Sequence, residues 1–170
     1  MRVFFSFAYT EDHHRAKTIM EQYLVHPNTS ATGFIEDGEI DRMCEEGLVR
    51  VYQWIEGEVS KADVVVVLIG HNTAGKHFVE YEIAQAQKNA KPIIGIFIEG
   101  LPDQNGQLHP KGRSSLFPVF PLYDYIKDQG ANDLPLWLQK AKENHPSPYN
   151  MLREVMTQMA LQTRARRQEQ

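Results

Sequence analysis

Runs of consecutive apolar residues alternate along the chain with segments in which apolar residues recur every three or four positions. Val3–Ala8, Ala62–Gly70 and Pro92–Ile98 are apolar runs interrupted only by Ser6 and Asp63, the pattern of strands that are covered on both faces of a parallel sheet. The helical periodicity occurs in residues 12–24 and 45–59 and in the segment His77–Ala90. This order predicts an α/β fold: a flavodoxin-like, doubly wound and mainly parallel sheet of about five strands, with helices on both faces.

Each of the three predicted helices has an apolar stripe that we expect to face the sheet. The stripes consist of Ala16, Ile19, Met20, Tyr23 and Leu24 in the first helix, Leu48, Tyr52, Ile55 and Val59 in the second, and Val79, Ile83, Ala86 and Ala90 in the third. Thr10 precedes the first helix and is its predicted N-cap.

Shorter or less regular segments predict further elements. Gly33-Phe34-Ile35 is the candidate for a short second strand, and Phe117–Ile126 is the candidate for a fifth, edge strand. Gly and Pro residues mark positions 99–116 as a long loop or small hairpin insertion. Two more helices are predicted near Leu134–Glu143 and Asn150–Arg164.

Domain organisation is predicted to be simple. No internal repeat, low-complexity tract or shift in composition divides the 170 residues. We therefore expect one domain over residues 1–170, with a core of about residues 2–126 and C-terminal helices within about residues 133–166.

Charge and cysteine content restrict the classes of partner. The net charge is −4 and the isoelectric point about 6.0, so no broad basic field is present to attract nucleic acid. The longest apolar run, Val64–Ile69, is far too short to cross a bilayer. The start of the chain lacks a signal-peptide layout, and the single cysteine, Cys44, excludes an intrachain disulfide. We expect a cytoplasmic protein without nucleic-acid or membrane partners.

Several familiar ligand motifs are missing from the sequence. No G-x-G-x-x-G follows the first predicted strand, and no Walker motif occurs. The loop after that strand is not the Ser/Thr/Gly-rich type that binds flavin phosphate. None of the seven histidines forms an i, i+4 pair. We therefore predict no bound metal and no resident cofactor.

A candidate site follows from the predicted topology. Ligands of open parallel sheets bind at the carboxyl ends of the strands, an edge to which Ser6–Thr10, Gly70–Lys76 and Glu99–Arg113 contribute. Glu82 falls in the second turn of a helix that starts at this edge, on the shoulder of the apolar stripe. The alternative interpretation is an ordinary surface glutamate that pairs with Lys76 or Lys88.

Three segments of the chain resemble the TIR domain superfamily, most closely the TIR-like ThsB family of bacterial Thoeris anti-phage defence. Val3–Phe7 resembles the opening strand of the family, and Asp63–Gly70 resembles its central strand. His77–Ile83 resembles the aromatic-x-x-x-Glu signature of TIR enzymes, with Phe78 in the place of the usual Trp and Glu82 in that of the catalytic glutamate. Lys111–Arg113 is also similar to a loop of the family.

The resemblance implies cleavage of NAD at its nicotinamide–ribose bond, with NAD as substrate and not as cofactor. A single carboxylate near the ribose can stabilise an oxocarbenium-like transition state, which is the role implied for Glu82. The product is ADP-ribose if water attacks, or a cyclic isomer if another group of the same molecule attacks. A downstream effector protein that senses this product and a homo-oligomer are the further partners that the resemblance implies.

Seven other residues are predicted to bind the substrate, each with a structural alternative. Ser6, Phe7 and Ala8 would line the pocket after the first strand, where Phe7 stacks on a ring of the ligand or simply fills the core. Phe78 would lie one turn before Glu82 on the same helix face. Asn72, together with Thr73, contacts ribose or phosphate or merely shapes a turn. Lys111 and Arg113 contact the pyrophosphate or are solvated loop charges.

Two rival functions stay open at the level of sequence. One is a TIR-like interaction module without enzymatic activity, in which Glu82 is a surface residue. The other is an enzyme of the same fold that processes a different nucleotide or nucleotide sugar.

Overall fold

A five-stranded parallel sheet forms the centre of the protein. The computed structural model describes residues 1–33, 39–114, 116 and 119–145. Within these residues the strands are β1 Arg2–Ser6, β2 Ser30–Thr32, β3 Val64–Ile69, β4 Ile93–Phe97 and β5 Leu122–Asp124. The helices are α1 Tyr9–Leu24, α2 Glu39–Glu46, α3 Leu48–Lys61, α4 His77–Lys88 and α5 Gly130–Asn144.

The strand order is β2-β1-β3-β4-β5, and each neighbouring pair is parallel. Because β1 lies in the interior and the chain moves to both sides of it, the sheet is doubly wound. This arrangement confirms the predicted α/β class.

Two hydrophobic cores cover the two faces of the sheet. Alternate strand residues such as Phe5, Val66 and Leu68 pack with α1 and α5 on one face. The residues between them, such as Phe4 and Val67, pack with α3 and α4 on the other. Both faces are buried, which explains why these strands are continuous apolar runs without alternation.

The second predicted helix is two helices, and its predicted stripe is partly wrong. Gly47 separates α2 from α3 with φ of 112°, a conformation that L side chains rarely adopt. The buried stripe of α3 is Val51, Ile55 and Val59, since steps of four residues keep these side chains over the sheet. Leu48, in the first turn, is instead 55% exposed.

Two details of the first two elements also differ from the predictions. Helix α1 begins at Tyr9 with Ala8 as its N-cap and without a side-chain cap, so Thr10 lies inside the first turn and is not the cap. Strand β2 ends at Thr32, before the predicted Gly33-Phe34-Ile35. The chain turns at Gly33, where φ is +84°; Phe34 and Ile35 lie outside the described residues.

The later elements follow the predictions more closely. In α4, Val79 and Ala86 are buried, whereas Ile83 is only partly buried and Ala90 follows the end of the helix. Strand β5 pairs with β4 at the edge of the sheet, and α5 covers the predicted residues 134–143. The predicted helix Asn150–Arg164 lies outside the described residues. No helix in the described part of the chain is long and apolar enough to cross a membrane.

Candidate active site

A cavity of about 170 Å³ opens at the carboxyl edge of the sheet, between the end of β1 and the helices α3 and α4. Phe7, Ala8 and the first turn of α1 form one wall. The opposite walls come from α3 and α4 and include Val51, Trp54, Ile55, His77, Phe78, Val79 and Glu82. The cavity is therefore lined mainly by apolar and aromatic side chains, with a carboxylate in its wall.

Glu82 is held from behind by the last residue of β1. The Ser6 hydroxyl donates a hydrogen bond of 2.5 Å to Glu82 Oε2. Ser6 is fully buried and cannot turn away to solvent, so the bond fixes the carboxyl group against the sheet. The residue that follows, Phe7, already lines the cavity.

Glu82 is partly buried, and this burial changes its protonation. Desolvation raises the pKa of Glu82 to about 8, and the hydrogen bond from Ser6 opposes this increase only in part. Lys76, which lines the same cavity, pairs with Glu11 at 2.5 Å. Among the described residues no ion pair includes Glu82. A cationic ligand in the cavity would therefore favour the ionised form of Glu82, because a nearby positive charge lowers the pKa of a carboxyl group.

The structure brings five of the predicted site residues together. Phe7, Ala8, Phe78 and Glu82 line the cavity, and Ser6 lies directly behind Glu82. Phe7 also belongs to the core beneath α1, so the two interpretations of this residue are compatible. These placements leave the proposed binding roles as predictions.

Three predicted binding residues lie elsewhere among the described residues and do not line this cavity: Asn72, Lys111 and Arg113. Asn72 and Arg113 are exposed. The Lys111 ammonium lies 4.0 Å from the centre of the Phe97 ring and 3.8 Å from Glu99.

Thr73, the neighbour of Asn72, has a structural role in the loop after β3. Its hydroxyl accepts a hydrogen bond of 2.8 Å from the Gly70 amide and is buried. This contact favours the turn-shaping interpretation of the loop.

Sequence reasoning missed Trp54, Lys76 and His77, all of which line the cavity. Trp54 lies beside the buried Val51–Ile55 stripe of α3, and that stripe is the sequence signal for its position. Lys76 is the N-cap of α4, and His77 is its first residue. Their proximity to the first turn of α1 depends on the order of the strands, which no local pattern reveals.

The fold and this site define a doubly wound, parallel α/β protein with a cavity at the carboxyl edge of its sheet. Residues 4–103 match the sequence model of a family described as "Thoeris protein ThsB, TIR-like domain". Because this match spans more than half of the chain, the chain belongs to that family, and the resemblance seen in the sequence is confirmed.

One curated relative and one solved structure add to the comparison. The chain is 28% identical over 133 residues to "Putative cyclic ADP-D-ribose synthase ThsB1" of Bacillus cereus (strain MSX-D12), a match that covers 78% of this chain and 66% of the relative. A solved structure of the Clostridium botulinum CMP N-glycosidase BcmB is similar at a TM-score of 0.47 and 16% identity, over 81% of this chain and 99% of that one.

Proposed function

We propose that this protein cleaves NAD in anti-phage defence, releases nicotinamide and makes ADP-ribose or a cyclic isomer of it as a signal. The observation that supports this proposal best is the position of Glu82. Its carboxyl group lies in the wall of an apolar, aromatic cavity and is fixed there by Ser6. The name of the Bacillus cereus relative, a cyclic ADP-D-ribose synthase, agrees with this chemistry.

The cavity suits the nicotinamide end of NAD. The pyridinium ring is flat and positively charged, and the rings of Phe78 and Trp54 offer faces that attract such a cation. Its charge also favours the ionised form of Glu82, because an opposite charge close to a carboxyl group lowers its pKa. Substrate binding thereby produces the carboxylate that the reaction needs.

Cleavage then needs only the carboxylate. The bond between the nicotinamide nitrogen and ribose C1′ breaks, and its electron pair goes to the ring nitrogen, so nicotinamide leaves as a neutral molecule. Glu82 stabilises the positive charge that develops on the ribose. Water then adds to C1′ and loses a proton to solvent. Alternatively, a nitrogen or hydroxyl group of the same molecule forms the bond to C1′ and closes the ring, and an attacking hydroxyl loses its proton to solvent.

The signalling role extends this chemistry to partners. We propose that the nucleotide product activates a separate effector protein, and that copies of this chain associate when the enzyme is switched on. We also place the activity in the cytoplasm, in keeping with a single free cysteine.

Nicotinamide release from NAD by the purified protein tests the proposal. Glu82→Gln keeps the size and hydrogen-bonding capacity of the side chain but removes the charge, and should reduce release at least 100-fold. Glu80→Gln is the matched control, because Glu80 is exposed on the same helix, and it should retain full activity. Equal activity of the wild type and Glu82→Gln would contradict the assigned role of Glu82.

A further inference from the structure

A group of aromatic side chains lies between α3 and α4, and two of its members also line the cavity. We call it the aromatic ledge and define it as Tyr52, His77, Phe78 and Tyr81. The ring centres of Tyr52 and Tyr81 lie 4.6 Å apart, and that of Tyr52 lies 6.0 Å from His77 and 6.1 Å from Phe78. His77 is exposed and the other three are only partly buried, so ring surface is open to a ligand.

The aromatic ledge is continuous with the cavity. His77 and Phe78 line the cavity and contact Tyr52 on the ledge. Val51, the residue before Tyr52 on α3, lines the cavity as well. A ligand that extends outward past Phe78 therefore meets Tyr52.

Hydrogen bonds hold the two tyrosine rings in place. Tyr52 Oη lies 2.6 Å from His77 Nε2, and Tyr81 Oη donates a bond of 2.7 Å to Glu56 Oε1. Each bond ties a ring to a partner on the other helix, which limits rotation of the side chain. A pre-ordered ring loses little conformational entropy when a flat ligand stacks on it.

The volume of the cavity shows that a dinucleotide must continue outside it. Pockets that enclose a drug-sized ligand measure roughly 300–1,000 Å³, whereas this cavity measures about 170 Å³. We expect it to hold the nicotinamide and part of its ribose, with the adenosine half of the substrate on the surrounding surface.

We infer that the aromatic ledge binds the adenine base of the dinucleotide by stacking, and so sets the preference for a whole dinucleotide over its nicotinamide half. This inference rests on the proposed function for its substrate. Stacking of a base on an aromatic side chain is a recurrent and strong contact, and removal of one such ring costs roughly tenfold or more in affinity.

Kinetics with a truncated substrate test the inference. Nicotinamide mononucleotide carries the scissile bond but lacks adenosine, so it does not reach the ledge. The quantity to measure is kcat/KM for NAD divided by kcat/KM for nicotinamide mononucleotide. Tyr52→Ala and Tyr81→Ala should each lower this ratio about tenfold, mainly through a higher KM for NAD. Tyr52→Phe and Tyr81→Phe keep the stacking rings but lose the hydrogen bonds that order them, so each should lower the ratio less than the matching alanine variant does.

Binding of AMP provides a readout that does not depend on turnover. In saturation-transfer NMR the adenine protons of AMP should receive saturation from the wild type and lose most of it with Tyr52→Ala. If AMP binds in this way but NAD is not cleaved, the proposed function fails and the ledge stands as an adenine site. An unchanged kinetic ratio in both alanine variants, or an AMP signal that is absent or insensitive to Tyr52→Ala, overturns the inference.

Discussion

Glu82 combines a charge that the proposed chemistry needs with surroundings that disfavour this charge. Because desolvation raises its pKa to about 8, most of the free protein carries a protonated Glu82 at neutral pH. Perturbed carboxyl groups of this kind are frequent in active sites, where they are matched to a task. Substitutions and pH changes at Glu82 should therefore have effects that an ordinary surface glutamate would not show.

The first test is the pH dependence of nicotinamide release. The ionised form of Glu82 is the reactive one, so kcat/KM should increase about tenfold per pH unit below pH 8 and level off above it, reporting the free enzyme. The profile is measured between pH 5.5 and 9.5 in buffers of constant ionic strength. A value of kcat/KM that does not change between pH 6 and 9 would show that Glu82 does not titrate as described.

The second test is the stability of Glu82→Gln. Between its ordinary pKa of 4.5 and the raised value of about 8, the folded state holds a proton that the unfolded state has released. Stability of the wild type therefore falls as pH rises through this window and then levels off. The neutral glutamine is free of this cost, so Glu82→Gln should raise Tm at pH 8 by on the order of 5 °C and much less at pH 5.

Differential scanning calorimetry of the wild type, Glu82→Gln and Glu80→Gln at both pH values measures this effect. The exposed Glu80 should give no comparable pH-dependent gain. If Glu82→Gln is destabilised at pH 8, burial of the carboxyl group does not have the cost assigned to it.

The third test concerns Ser6, which acts through Glu82. The hydrogen bond from Ser6 lowers the pKa of Glu82, so Ser6→Ala should move the pH profile of kcat/KM to higher pH and reduce the rate at pH 7 about tenfold. Ser6→Thr retains the hydroxyl and should restore the position of the profile. A loss of activity at all pH values with an unshifted profile would instead indicate general disruption at this buried position.

At the scale of elements, the break between α2 and α3 is a feature that the helical pattern of the sequence does not reveal. A helical pattern over residues 45–59 is real on both sides of Gly47, but the interruption depends on one backbone conformation, with φ of 112°. Gly57 lies inside α3 in ordinary helical conformation, and neither glycine has an atom within 4 Å of the place that a Cβ would take. The two positions thus differ in backbone conformation and not in available space.

Substitution of these two glycines by alanine should change the stability of the protein in opposite directions. Gly57→Ala should stabilise the protein by about 0.5–1 kcal/mol, because alanine has the higher helix propensity. Gly47→Ala should destabilise it by about 1–3 kcal/mol, because a side chain is strained at that φ. Urea unfolding of both variants measures the difference, and equal effects at the two positions would contradict the described break.

At the scale of the whole molecule, the sequence predicts the fold better than the site. Strands β3 and β4 are recognisable in the sequence because burial on both faces of the sheet requires continuous apolar runs. Strand β2 is not recognisable in this way, since Ser30–Thr32 is a three-residue edge strand that pairs with β1 alone. Its position follows from tertiary pairing, and local composition carries little trace of it.

The candidate site also contains some features that are visible in the sequence and others that depend on tertiary packing. Glu82 and Phe78 are four residues apart on one helix, so their shared face is visible in the sequence. The contact between Ser6 and Glu82 spans 76 residues and becomes evident only after β1 and α4 are packed together. Lys111 and Arg113 are predicted from the similarity of their loop to one of the family and from their charge, and neither feature determines whether the loop reaches the cavity.

Mass spectrometry of the small molecules formed from NAD is the most direct test of the central claim. Purified wild type and Glu82→Gln are each incubated with NAD, alone and with a lysate of phage-infected cells. The wild type should form nicotinamide together with ADP-ribose or a cyclic ADP-ribose isomer, and Glu82→Gln should form neither beyond the lysate background. Failure of the wild type to convert NAD under both conditions would contradict the proposed NAD cleavage and favour a TIR-like interaction module without this activity.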